Sequence, residues 1–182
     1  MKPNYLTILI TTLCIFFNAC HNSNTAPQLQ LADSLIDKRA DSALCILEKL
    51  SIEEISNKSA KAMYALLLTE ALDKNFKSHR NDSLILIAVD YYKDNSNNKL
   101  KTKAYYYLGR VYQDNKEYIK ATEAYLTALK TASPNQAPIL QIYNNLALCY
   151  ESQEFYLPAI KIYKESYATA EKMQDKYGIL HA

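Results

Sequence analysis

A chain of 182 residues is long enough to bury a core without disulfides or a metal. Only 2 glycines and 5 prolines stand beside 16 tyrosines and many alanines, leucines and lysines, which argues against glycine-turned hairpins and for helices with short connections. The net charge of +2, with lysines interspersed among carboxylates, offers no stripe for a polyanion, so no nucleic-acid partner is expected.

In chain order, Lys2 precedes an apolar stretch from Tyr5 to Phe17. At about thirteen residues it falls short of the ~20 that a membrane-spanning helix needs. Residues 1–19 are therefore read as a signal peptide. The stretch ends in Phe17-Asn18-Ala19-Cys20 and turns polar at His21. A small residue before a cysteine resembles the bacterial lipobox, which implies that Cys20 becomes the mature, lipid-carrying N-terminus. Phe17 and Asn18 depart from the usual pattern, and an ordinary cleaved signal with an incidental cysteine is the alternative. Residues 20–28 are expected to be the lipidated cysteine and a tether, with Thr25 to Gln28 its last part.

Helical pairs follow. Leu29 to Asp37 and Asp41 to Leu50 read as a first short pair. Ala60 to Lys74, carrying Met63, Leu66, Leu67 and Glu70, reads as the next helix. After the connection from Asn75 to Asn81, Asp82-Ser83 supplies an N-cap for a helix facing inward through Leu84, Ile87, Ala88 and Tyr91. Cys14 falls in the signal, which leaves Cys45 and Cys149 in the folded part. Both are expected to be buried thiols beside apolar neighbours, although an oxidising compartment would permit a disulfide between them.

The second half of the chain is written twice. Laid over each other without a gap, Tyr105 meets Tyr143, Leu108 meets Leu146, Tyr112 meets Tyr150, Tyr118 meets Tyr156, Ala121 meets Ala159 and Tyr125 meets Tyr163. The order Tyr105, Leu108, Gly109, Tyr112, Ala121, Tyr125, Ala128 closely resembles the tetratricopeptide repeat, a helix-turn-helix of ~34 residues. Ala147 and Ser166 stand where Gly and Ala are usual in the second copy. The resemblance implies repeats at 102–135 and 140–173, degenerate pairs over 29–101, and an all-α fold of antiparallel helix pairs stacked as a tetratricopeptide-type α-solenoid. Gly109, Ala147, Ala121 and Ala159 are expected to let paired helices approach, with the tyrosines filling the spaces between them. Residues 175–182 read as the start of a further, truncated helix, so the chain looks like the N-terminal piece of a longer protein; the alternative is that this stub is itself the solenoid's cap.

No catalytic constellation emerges. The 3 histidines, His21, His79 and His181, share no ligand spacing, and Gly109 and Gly178 are too few for a phosphate loop. No enzyme activity, cofactor or metal is expected. By resemblance, the first helix of each pair lines a concave groove that holds an extended peptide or a partner's helix. Lys103, Tyr106, Arg110 and Gln113 would line it from one repeat. Gln141, Asn144, Asn145, Leu148 and Glu151 would line it from the next.

The whole layout resembles the N-terminal part of tetratricopeptide lipoproteins of Bacteroidetes. That implies a periplasm-facing, lipid-anchored interaction scaffold in the cell envelope, on the outer membrane if the sorting rule of other Gram-negative lipoproteins applies. Its partner would be a protein or peptide, and its membrane contact the N-terminal lipid. Two alternatives are the sensory portion of an envelope regulator, and a glycan-capturing outer-membrane lipoprotein. The second is disfavoured by the absence of tryptophan.

Overall fold

The structure, a computed structural model, describes residues 25–78, 81–133 and 138–173. The expected signal peptide, Cys20, His21, His79, His181 and the segment 175–182 lie outside these residues. Among the described residues the regular structure is helical: α1 (Thr25–Leu35), α2 (Ala40–Leu47), α3 (Lys58–Lys74), α4 (Ser83–Tyr92), α5 (Asn98–Asp114), α6 (Tyr118–Thr131), α7 (Ile139–Ser152) and α8 (Tyr156–Lys172), with a 3₁₀ turn at Ile52–Glu54. The fold is an all-α, tetratricopeptide-type solenoid of four helix pairs. Within each pair a short turn forces the partners antiparallel. Between pairs, the first helices α3, α5 and α7 also touch in succession, as stacked repeats require.

The helices begin where side chains can replace missing backbone partners. Asn57 accepts a hydrogen bond from the Ala60 amide at 3.0 Å to open α3, and Asn97 accepts from the Leu100 amide at 3.2 Å to open α5. This second cap sets α5 at Asn98, ahead of the expected 102. At the other end, α1 already starts at Thr25, so Thr25 to Gln28 form its first turn and not a tether. Asp82 occupies the N-cap position of α4 but makes no cap bond. Its carboxylate instead accepts from the Tyr112 hydroxyl at 3.0 Å, and Asn81 takes the Ser83 amide at 3.1 Å.

Three of the turns inside pairs are copies of one motif. The amides of Lys77, Glu117 and Phe155 reach back to the carbonyls of Leu72, Tyr112 and Tyr150, while those of Phe76, Lys116 and Glu154 reach Asp73, Gln113 and Glu151. These two nested bonds satisfy carbonyls at the C-terminus of the first helix. The motif requires a left-handed residue, and Phe76, Lys116 and Glu154 take that role with φ of 54°, 62° and 62°. None is the glycine such positions favour.

Two main apolar clusters run along the stack. One joins α1 and α2 to α3 through Leu29, Ile36, Leu44, Leu47 and Leu67. The other runs from α3 to α8 through Leu66, Ile85, Tyr107, Tyr125, Leu146 and Ile162. Leu84 packs against both. The buried face of α4 is Ile85, Ala88, Val89 and Tyr92, whereas Ile87 is exposed. The buried face is therefore rotated by one position from the expected one, since a helix advances 100° per residue: Ile85 is fully buried, while Leu84 is half-buried where the two clusters meet. Cys45 likewise lies one residue past the buried Ala43 and Leu44 and is exposed. Cys149 is buried, and both thiols are free.

Gly109 marks the closest approach in the third pair. A Cβ built there would lie 2.6 Å from Cδ1 and 2.8 Å from Cζ of the Tyr125 ring. The glycine thus makes room for a tyrosine ring and not, as expected, for the backbone of the second helix. The ring is fully buried, and its hydroxyl donates to Gln113 at 2.7 Å. In the fourth pair, Ala147 holds the position of Gly109 and Tyr163 is only half-buried, donating to Glu151 at 3.2 Å.

Candidate functional site

The first helices α5 and α7 carry the expected groove residues, and the structure separates these into two groups. On α5 they are tied down. Glu70 of α3 is 2% exposed and meets Lys103 at 2.5 Å and Lys74 at 3.3 Å; Lys74 continues to Asp37 at 2.5 Å. A carboxylate taken out of water requires such partners. Arg110 meets Asp73 of α3 at 2.9 Å through Nε and Asp114 at 3.8 Å through Nη2, and donates to Gln113 at 3.4 Å. Gln113 also receives the Tyr125 hydroxyl. Tyr106 is buried and accepts a 3.4 Å hydrogen bond from Asn145 of α7.

These polar links form a ladder from one first helix to the next, running from Asp37 after α1 through α3 and α5 to α7. The charge states follow from the geometry. Lys74 hydrogen-bonded to Asp37 holds that carboxyl below its usual value. Burial pushes the phenols of Tyr107 and Tyr125 well up, and that of Tyr106 up to about 12. Burial also works against the charge on Arg110, but Asp73 beside it more than compensates and keeps its guanidinium protonated.

On α7 the expected residues are more open. Gln141, Leu148 and Glu151 are exposed, with Glu151 accepting from Tyr163. Asn144 accepts from Ser166 of α8 at 3.0 Å. Lys103 and Arg110 therefore sit where the repeat pattern placed them, but each is the counter-ion of an acid on the preceding first helix. Glu70 and Asp73 were the residues missed. Their signal was available, since each stands about one repeat length before its base. Reading the helices singly hid it.

Among the described residues, no group of three or more His, Cys, Asp or Glu is placed to hold a metal ion. No described helix is long and apolar enough to cross a membrane. A separate cleft of about 680 Å³ opens between α1, the 3₁₀ turn and α3, lined by Ala26, Leu29, Ile55, Asn57 and Met63. It lies against the N-terminal part of α3 and converges no titratable pair.

This arrangement of helix pairs with a face built from the first helix of each defines a repeat scaffold. Residues 101–172 match the tetratricopeptide repeat family model, a class whose general role is protein–protein interaction. Among solved structures, the chain is similar to the crystal structure of MamA protein, at 21% identity with a TM-score of 0.60 over 84% of this chain and 76% of that one; at that identity the likeness concerns the fold. No curated protein matches the chain.

Proposed function

We propose that this protein is a lipid-anchored, periplasm-facing scaffold that holds an extended peptide or a partner's helix along the face formed by α3, α5 and α7. The observation that carries the reading is the division of that face. On that face Glu70, Asp73, Lys103 and Arg110 of α3 and α5 are locked in ion pairs and make an ordered wall, while Gln141, Leu148 and Glu151 of α7 remain exposed beside it. A wall already ordered costs less to bind against than one that must freeze its side chains on contact. Side-chain amides of Gln141 and Asn144 can serve a ligand's peptide groups, and Leu148 can cover an apolar side chain. Anchoring is supported by the lipobox-like Phe17-Asn18-Ala19-Cys20, with α1 opening only a few residues later.

The test is affinity capture from envelope extract on the immobilised chain, beside a folded Gln141→Ala, Leu148→Ser, Glu151→Ala variant. A partner retained by the first and lost by the second supports the groove. Equal retention refutes it. Incorporation of labelled palmitate that disappears in Cys20→Ser tests the anchor, and absence of label from the parent chain removes that part of the reading.

A further inference from the structure

Lys103 and Arg110 are the two bases that α5 was expected to place in the groove, and a base in such a position ordinarily receives a carboxylate through a charge-assisted hydrogen bond. Both stay within a ligand's reach, with side chains 21% and 24% exposed. Neither is available. Lys103 Nζ lies 2.5 Å from Glu70, which is 2% exposed, and Arg110 Nε lies 2.9 Å from Asp73, which is 13% exposed. The other Arg110 nitrogens turn to Gln113 at 3.4 Å and Asp114 at 3.8 Å. Lys74 cannot stand in for either base, because it is divided between Glu70 at 3.3 Å and Asp37 at 2.5 Å, with Lys99 near the same Asp37.

These pairs decide what charge a ligand can bring. A carboxylate that drew Lys103 away would leave Glu70 out of water with only its share of Lys74. One that reached for Arg110 would set a further negative charge against Asp73 and Asp114, and like charges brought together repel. A ligand's C-terminus or acidic side chain is therefore excluded by charge and not by shape.

The open side of the groove carries the opposite preference. Between Ile139 and Ser152, α7 contains no Lys, Arg or His, and its one formal charge is the exposed Glu151. That carboxylate accepts a neutral donor, the Tyr163 hydroxyl at 3.2 Å, and has no basic partner among the described residues. A ligand's Lys or Arg can meet it while Gln141 and Asn144, earlier on the same helix, hold peptide groups.

Building on the groove reading above, we propose that the groove takes an internal segment bearing Lys or Arg and turns away C-terminal carboxylates and acidic segments. Glu70 and Asp73 set this choice by occupying Lys103 and Arg110.

The labelled full chain is applied to an array of random-sequence peptides, each made twice, once with a free C-terminal carboxylate and once amidated. The parent chain is expected to select peptides enriched in Lys and Arg, and to bind the acid and the amide of each within about twofold. Glu151→Gln should weaken those binders by about threefold, the scale of an exposed ion pair. Asp73→Asn keeps the shape of the side chain while releasing Arg110, and should bind free acids at least about tenfold more tightly than their amides. Glu70→Gln releases Lys103 and should shift the ratio of acid to amide binding in the same direction. Circular dichroism checks both variants, and if one fails to fold the other decides.

Enrichment of Asp, Glu or free carboxylates among the parent's binders overturns the proposal. So does a ratio that no folded variant changes, or a set of basic binders that Glu151→Gln leaves untouched. A parent chain that binds no peptide, or whose binding survives Gln141→Ala, Leu148→Ser, Glu151→Ala, shows instead that the groove reading itself has failed, and the proposal falls with it.

Discussion

Replacing Gly109 by alanine puts a methyl group where the Tyr125 ring already lies, with ring atoms at 2.6 and 2.8 Å from the new carbon. The ring is fully buried and has no empty space to retreat into. Overpacking of this kind costs about 1–3 kcal/mol. Displacing the ring also breaks the 2.7 Å bond from its hydroxyl to Gln113, about 1 kcal/mol more. Against this, alanine is the better helix former by about 1 kcal/mol. The net expectation is a loss of about 2 kcal/mol, which for a chain of this size lowers the melting temperature by about 4–8 °C. Thermal unfolding followed by circular dichroism at 222 nm measures it. Tyr125→Leu added to Gly109→Ala should cost less than the sum of the two single changes, because the smaller side chain removes the collision. Ala147→Gly, at the position where the second tyrosine is already displaced outward, should cost only about 1 kcal/mol. A Gly109→Ala protein that melts above the parent would show that helix propensity outweighs the ring contact, and would refute the argument.

Glu70→Ala should destabilise by about 3 kcal/mol in urea unfolding, because it strands Lys103 beside an apolar core while Lys74 keeps Asp37; Glu70→Ala with Lys103→Met should recover part of that loss. Stability should fall as pH rises above about 10, since unfolded tyrosines ionise there while burial pushes Tyr106 and Tyr92 up to about 12. Groups with raised folded pKa values stabilise fully below the unfolded value and lose that contribution as pH climbs through the folded one. Melting temperature and phenolate absorbance recorded from pH 8.5 to 12 should change together, and a flat melting profile would contradict the burial of these phenols. Thiol alkylation at pH 8 followed by peptide mapping should label Cys45 rapidly and Cys149 only on unfolding, since burial holds the latter's thiol up at about 11. Asn57→Ala should cost about 1 kcal/mol through its lost cap, whereas Asp82→Ala should act mainly through the Tyr112 hydroxyl.

The repeated part of the fold was legible because its rules concern size. Tyrosine against glycine or alanine, recurring at one repeat length, survives reading in one dimension, and α5 to α8 lie where Tyr105, Gly109, Ala121 and their counterparts put them. The degenerate pairs lacked those contrasts. In α4 every residue from Leu84 to Val89 is apolar, so periodicity could not choose between faces, and the face was fixed by packing on α3 and α5. Asp82 was a plausible cap by type, yet a carboxylate goes to the better donor, and only the fold reveals that Tyr112 is within reach. For the candidate groove, position was readable and availability was not. Whether Lys103 or Arg110 is free depends on residues one repeat earlier, which a helix-by-helix reading leaves unpaired. The left-handed turns carried no signal either, because none contains the glycine that usually announces them.

The clusters that hold the stack also say how it can be assembled. Each helix leans mainly on its neighbours in sequence, and the two main clusters meet at a single shared leucine, Leu84. Such short-range wiring lets order spread along the chain from any completed pair without waiting for the far end. During synthesis, α1 to α3 can close around Leu29, Leu47 and Leu67 while α7 and α8 are still unmade. Each later pair then condenses on a finished template, so the growing chain never has to search for a distant partner.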